Sequence, residues 1–177
     1  RADALATFIG ALETSIRQEI RHKAKAVVAD ISSDVQSMWD ILHPDKRVEE
    51  VHLYVAVDSD KAIDIGLKFH GVPQDSPRLT LSEGYRNSLG LCIFLAMAKR
   101  EAGTDGPLIL DDVVVSLDRQ HRGMIIELLS TEFASRQVVL LTHDRDWYAE
   151  LRQSLDEGRW SFRVLLPYEA PEQGIRW

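Results

Sequence analysis

The sequence predicts an α/β fold: a mainly parallel sheet with helices, an antiparallel hairpin beside it, and a long N-terminal helix of coiled-coil type leading in. Three observations carry this. Apolar residues recur at alternating three- and four-residue steps from Leu5 to Leu42. Two runs that alternate apolar and polar residues flank a short polar turn. Two continuous apolar runs, Leu108–Leu110 and Val138–Leu141, bracket an amphipathic stretch.

Residues 3–42 read as one helix, with no proline and only Gly10 inside. Its stripe is Leu5, Ile9, Leu12, Ile16, Ile20, Ala24, Val27, Ile31, Val35, Met38 and Leu42. Ten steps over 37 residues give a mean of about 3.7, nearer an 11-residue repeat than a strict heptad. A narrow stripe this long wants a partner helix. The part after about Val27 fits packing on its own domain, and the first turns are expected to project. Arg17, Arg21, Lys23 and Lys25, opposed there only by Glu19, form a local basic band, either a solvated face or one facing DNA. His43-Pro44-Asp45 ends the helix, because proline disfavours helical geometry in the residue before it.

Val51, Leu53, Val55 and Val57 share one face of a strand. Ile63, Ile65, Leu67 and Phe69 do the same after Asp58-Ser59-Asp60-Lys61, which makes a hairpin. The segment from His70 to Thr80, with Pro73 and Pro77, reads as a loop. Tyr85–Arg100 is apolar nearly all round, so burial is expected for it. Leu108–Leu110 and Val138–Leu141 read as parallel strands covered on both faces. Arg119–Ser135 is the crossover helix between them, capped by Asp118. A further helix starts at Asp144 and runs to about Leu155, and Trp160–Leu166 reads as a last strand.

The 177 residues, 45% of them hydrophobic, suffice for one core plus an appendage. No apolar run approaches the ~20 residues that span a bilayer. The chain opens on Arg1, which reads as a segment of a longer polypeptide. The one cysteine, Cys92, excludes an internal disulfide or thiolate metal site and fits a reducing cytosol. A net charge of −7 argues against a generally basic nucleic-acid binder, so any DNA contact would come from a local patch.

Three polar sites punctuate residues 81–143. Leu81-Ser82-Glu83-Gly84-Tyr85-Arg86 opens the apolar helix. Asp111-Asp112 ends an apolar run, with Ser116-Leu117-Asp118 just after. Val138–Leu141 ends in Thr142-His143. Singly these read as a cap, a turn and a structural histidine. In this order and spacing they resemble the C-terminal half of a P-loop ABC-type ATPase head: signature motif, Walker B, D-loop and switch histidine. The LSEG variant, and aspartate where glutamate is usual after Walker B, resemble the SMC-like group (SMC, RecF and RecN relatives).

That resemblance implies ATP and Mg²⁺ as ligands. Asp111 would hold the metal. Asp112 would orient or deprotonate the attacking water, and His143 would contact the γ-phosphate or that water. Ser82, Glu83 and Gly84 would bind the γ-phosphate of ATP held by the opposite protomer, with Asp118 at the same dimer seam. Arg86 reads as pairing across that seam or as a surface salt bridge. Independently of the resemblance, a helix N-terminus with a serine and a glycine is a ready anion site, and strand ends are where ligands sit in open α/β sheets, so Asp111 and His143 are expected to share a pocket.

The phosphate-cradling G-x-x-x-x-G-K-[ST] loop does not occur in the sequence. In SMC-like proteins it belongs to an N-terminal lobe across the coiled coil. The expectation is therefore residues 1–43 as a coiled-coil arm and 44–177 as the C-terminal lobe of the head. Such a lobe is inactive alone. Completed by its Walker A-bearing lobe and a second head, most simply a homodimer, it would act as a cytoplasmic or nucleoid-associated ATPase. The work would be linked to DNA: repair, chromosome organisation or defence against foreign DNA. The alternative is an ATP-gated structural or sensing clamp with little turnover, controlling a separate effector such as a nuclease. A metal-nuclease pair at Asp111 and Asp112 is disfavoured, because no further acidic ligands lie near and Ser82-Glu83-Gly84 would go unexplained.

Overall fold

The computed structural model describes residues 2–45, 47–56, 62–74, 76–101, 106–113 and 119–166. The chain forms two compact units, residues 1–140 and 141–177.

Helix α1, Ala2–Leu42, runs 41 residues without a break. Only its second half is covered: Val28, Ser32, Val35, Met38, Trp39 and Leu42 are buried, where α1 packs on the strand and helices that follow. Leu5, Ile9, Leu12, Ile16 and Ile20 carry the same stripe but lie open, Ile20 at 60% exposure. The division near Val27 is thus where the sequence places it. The basic band is partly neutralised along the helix: Arg17 pairs with Glu13 at 2.9 Å and Lys23 with Glu19 at 3.5 Å. Exposed pairs one turn apart add only a few tenths of a kcal/mol.

Strands β1 (Val48–Val55), β2 (Ile63–Phe69) and β3 (Val72–Gln74) form an antiparallel sheet in that order. The expected hairpin is present, but β1 starts three residues before Val51. A bulge between Glu49 and His52, with Glu50 at φ +51°, inserts one residue and breaks the alternation. Val48 and Val51 are consequently both buried despite odd spacing. The segment after His70, read as a loop, holds β3 and a one-turn helix α2, Pro77–Thr80. His70 and Gly71 both have positive φ (+49° and +78°), the backbone of a two-residue turn that joins β2 to β3. Pro73 is tolerated because β3 is the edge strand.

Helix α3 (Glu83–Arg100), β4 (Leu108–Asp111), helix α4 (Arg119–Glu132) and β5 (Val138–Leu141) follow, with β4 and β5 paired in a parallel sheet. Leu89, Cys92, Leu95 and Ala96 of α3 meet the core, and Ile125, Leu128 and Leu129 of α4 are buried with them. Burial pushes the Cys92 thiol up to about 12, so it stays protonated and unreactive. Two expectations of full coverage fail. Phe94 and Met97 of α3 are 49% and 57% exposed, and Ile109 of β4 is 56% exposed. Apolar sequence is present on those faces, but nothing among the described residues covers them.

The C-terminal end of α3 is tied down electrostatically. Lys99 reaches Asp34 of α1 (3.1 Å) and Glu132 of α4 (2.7 Å), and Arg100 reaches Asp34 (2.8 Å) and Asp30 (3.3 Å).

In the second unit, α5 spans Arg145–Ser154, with Trp147 and Leu151 its buried residues. The expected strand over Trp160–Leu166 does not form. A strand exists only as half of a hydrogen-bonded ladder, and among the described residues none pairs with this segment. No helix among the described residues is long and apolar enough to cross a membrane.

The ion cluster predicts a pH dependence. The hydrogen bond to Glu132 is the largest influence on Lys99 and, with the bond to Asp34 and the charges of both carboxylates, raises its pKa above the ordinary 10.5 against the opposing effect of burial. A raised folded value means the contribution is full below the unfolded pKa and is lost as pH climbs through the folded one. Lys99→Met should therefore melt below wild type at neutral pH, with the gap closing as pH rises past 10.5. A gap that stays constant through that range in paired thermal melts would contradict the assignment.

Candidate functional site

Ser82 is the N-cap of α3, with extended backbone (φ −61°, ψ 165°) and its Oγ accepting from the Tyr85 N–H at 3.4 Å. The next amide is taken as well, since the Arg86 N–H reaches the Ser82 carbonyl at 3.0 Å. That leaves the amides of Glu83 and Gly84 as the ones the helix itself cannot satisfy. Ser82 and Glu83 are exposed and Gly84 is half-buried, so this end of the helix is accessible. Positive dipole character and two outward amides suit an anion. The Glu83 carboxylate shares the first turn, where the same field stabilises it.

The turn leading into α3 is held from within. The Arg86 Nη1 donates to the carbonyls of Arg78 (3.1 Å) and Leu81 (3.4 Å). Its observed work is to fix the backbone before the cap, a role the sequence did not suggest. Ser88, buried one turn further, donates to the Gly84 carbonyl at 3.1 Å.

Asp111 is exposed at the end of β4. Asp112 follows, half-buried, at φ +49°, which is the left-handed region. That conformation costs an ordinary L-residue roughly 1–2 kcal/mol, and aspartate is among the few side chains found there regularly. Among the described residues, no group of three or more His, Cys, Asp or Glu forms a metal cage. A single exposed carboxylate fits Mg²⁺ all the same, because that ion keeps several waters and takes further oxygens from phosphates. Asp118, with Ser116 and Leu117, lies outside the described residues.

In the second unit, Thr142 Oγ1 accepts from the Asp144 N–H at 3.1 Å. Asp144 in turn caps α5, accepting from the Asp146 and Trp147 N–H groups at 3.0 Å each. His143 stands exposed between these two capping residues. The first unit therefore carries Ser82, Glu83, Gly84, Asp111 and Asp112, and the second carries His143.

Sequence reasoning passed over Tyr85. Its ring packs 4.8 Å from His43 and 5.9 Å from Trp39, and its hydroxyl donates to Asp45 at 3.4 Å. The signal was there in outline: Trp39 and His43 stand one turn apart at the end of α1, and Tyr85 is an aromatic in the first turn after a cap.

No family model matches the chain. Over 138 residues it is 25% identical to the DNA double-strand break repair Rad50 ATPase of Sulfurisphaera tokodaii, a match covering 76% of this chain. The chain spans only 14% of that curated relative's length. Among solved structures, one from work on ATP-driven dimerization and DNA stimulated activation of SMC ATPases superposes with a TM-score of 0.60 at 12% identity. That match covers 85% of this chain and 84% of the other. The Smc head domain with a coiled coil and joint from Pyrococcus yayanosii gives 0.57 at 14% identity, over 83% of this chain and 27% of the other. The Smc head bound to the C-winged helix domain of ScpA gives 0.56 at 16% identity, over 70% and 38%. The fold is that of an SMC-type head, and the partial coverage fits one lobe of it.

The backbone at Asp112 gives a test independent of activity. Asp112→Asn should melt within error of wild type, because asparagine shares the left-handed tolerance. Asp112→Val should lose about 1–3 kcal/mol in denaturant unfolding, because a β-branched side chain is strained there. Equal stability of the two variants would mean that the φ is not imposed by the fold.

Proposed function

We propose that this chain is the C-terminal lobe of an SMC-like ATPase head, with residues 1–43 as a coiled-coil arm and 44–177 as the lobe. Completed by a Walker A-bearing lobe and facing a second head, it binds and hydrolyses ATP, and hydrolysis is coupled to head dimerisation. The observation that carries this reading is the placing of Leu81-Ser82-Glu83-Gly84. Its serine caps an 18-residue helix at an accessible end, as a motif that reaches a phosphate on another protomer requires. The uncovered apolar faces support the missing lobe: Ile109 of β4 and Phe94 and Met97 of α3 are open to a partner of like chemistry. A groove of about 540 Å³ runs beside the open half of α1, lined by Leu12, Ile16, Ile20 and Ala24, and supports a second helix along the arm.

Each residue then has a part. Mg²⁺ at Asp111 supplies charge neutralisation beside nucleotide phosphates. Asp112 accepts the proton of the attacking water or orients it. His143 holds the γ-phosphate or that water by a hydrogen bond. Ser82 Oγ and the amides of Glu83 and Gly84 clasp the γ-phosphate presented by the opposite head, with Asp118 at the same seam. ATP drives dimerisation only through contacts it makes across that seam, since a ligand shifts an equilibrium by its differential affinity for the two states.

The Rad50 relative supports DNA repair as the setting, with chromosome organisation and defence against foreign DNA as the other DNA-linked roles. DNA itself, and an effector such as a nuclease, are proposed partners, and the setting is cytoplasmic. One observation favours the slower, clamp-like alternative. Asp112 is a methylene shorter than glutamate and is held in a left-handed turn, which limits how far its carboxylate can reach. The turnover rate of the complete protein separates the two.

Ser82→Arg is the discriminating variant. Losing the cap costs about 1 kcal/mol, too little to unfold a domain of this size. The guanidinium, however, occupies the place of the partner's γ-phosphate. The complete head should keep its melting behaviour and nucleotide affinity while losing the ATP-dependent dimer on size-exclusion chromatography. Normal ATP-dependent dimerisation by Ser82→Arg would reduce Ser82 to a helix cap and remove the signature reading.

A further inference from the structure

A cluster of rings around the start of α3 takes no part in the chemistry assigned above. His43, the residue directly after α1, is buried. Its ring centroid lies 4.2 Å from that of Trp39, 4.8 Å from Tyr85 and 4.6 Å from His121 of α4. Trp39 also approaches Tyr85 directly, at 5.9 Å. The Tyr85 hydroxyl donates to Asp45, two residues beyond His43, at 3.4 Å. Its backbone N–H is the donor to Ser82 Oγ. A single residue therefore holds the signature cap by its main chain and the end of the arm by its side chain.

We infer that Tyr85 is a positioning residue: the imidazole–indole stack at the end of α1 fixes it, and through its amide it fixes Ser82. The inference rests on the proposed role of Ser82 at a phosphate and adds what sets that serine's place. Ser82 is exposed and lies on the first turn of a helix, where ends fray. Its side-chain bond is long, so a small displacement of Tyr85 breaks it. Anchoring the ring to the buried His43 and Trp39 makes that displacement depend on the arm's last turn. A shift of α1 relative to α3 would therefore be felt at the cap. The Lys99 and Arg100 bridges hold the far end of α3 to the same arm, so the two ends of α3 share one reference.

The test uses the complete head, this lobe with its Walker A-bearing lobe, and compares Tyr85→Phe, Tyr85→Leu and His43→Ala. Tyr85→Phe keeps the ring and should resemble wild type. Tyr85→Leu keeps apolar volume but loses the stack. It should raise the ATP concentration for half-maximal dimerisation by about 3- to 30-fold, the range of such couplings, and lower turnover. Affinity of the single head for nucleotide should not change, because the groups proposed to hold that head's own nucleotide, the Walker A loop of the other lobe and Asp111 here, are not ones that Tyr85 positions. His43→Ala should do the same, and the double variant should be no worse than the poorer single one, since both remove one linkage. If Tyr85→Leu does not fold, His43→Ala is read by the same criterion. Tyr85→Leu with a wild-type ATP dependence, or effects that multiply in the double variant, would overturn the inference alone. A wild-type head with no ATP-driven dimer would remove the proposed function, and this inference with it.

Discussion

Trp39, fully buried, donates its indole N–H to the Val48 carbonyl at 3.2 Å, and that bond sets where the chain turns back from α1 into β1. Twenty-one residues apart in sequence, Ser32 Oγ and the Leu53 N–H repeat the join at 3.0 Å, so β1 is pinned to the helix at two points. The second half of α1 also carries Asp30 and Asp34, which hold the end of α3, and His43, directly after the helix, lies against rings of both α3 and α4. Strand β1 and helices α3 and α4 thus find their places against one stretch of one helix. Truncating an indole so placed costs a domain about 3–5 kcal/mol, a large part of its total stability.

That constraint has a functional side. The helix that organises the core is also the one proposed as a coiled-coil arm, and its outer half presents an unbroken apolar stripe to solvent. A protein rarely leaves so long a contiguous apolar surface without a partner. The open faces of α3 and β4 follow the same logic. On the proposed reading, these open faces are where the completing lobe and a second helix would pack.

The long helix, the hairpin and the strand–helix–strand unit were legible because periodicity reports directly on which face is apolar. What covers that face is not in the pattern: Phe94, Met97 and Ile109 look like core residues and are open. Local irregularity hid the rest. Glu50 in its bulge breaks the alternation that would have revealed Val48 as strand, and Pro73 conceals an edge strand that needs no amide there. Trp160–Leu166 has the right composition for a strand and no ladder to join. At the site, the Ser82 cap and the place of Asp111 at a strand end were readable from residue type and spacing. The left-handed backbone of Asp112 was not, although its identity as aspartate is what the conformation tolerates. The ring cluster on Tyr85 was legible only in its parts, the Trp39 and His43 pair and an aromatic after a cap, because Tyr85 lies 46 residues from Trp39 and, like His121, meets that pair only through the fold.

The central claim is that this chain is half of an ATP site, carrying the groups that act on phosphate but none of the loop that cradles it. Calorimetry with ATP and Mg²⁺ tests this most directly, first on the chain alone and then on the chain joined to its Walker A-bearing lobe. The account predicts no measurable binding by the chain alone and binding once the other lobe is present. Micromolar binding of ATP by this chain by itself would contradict it.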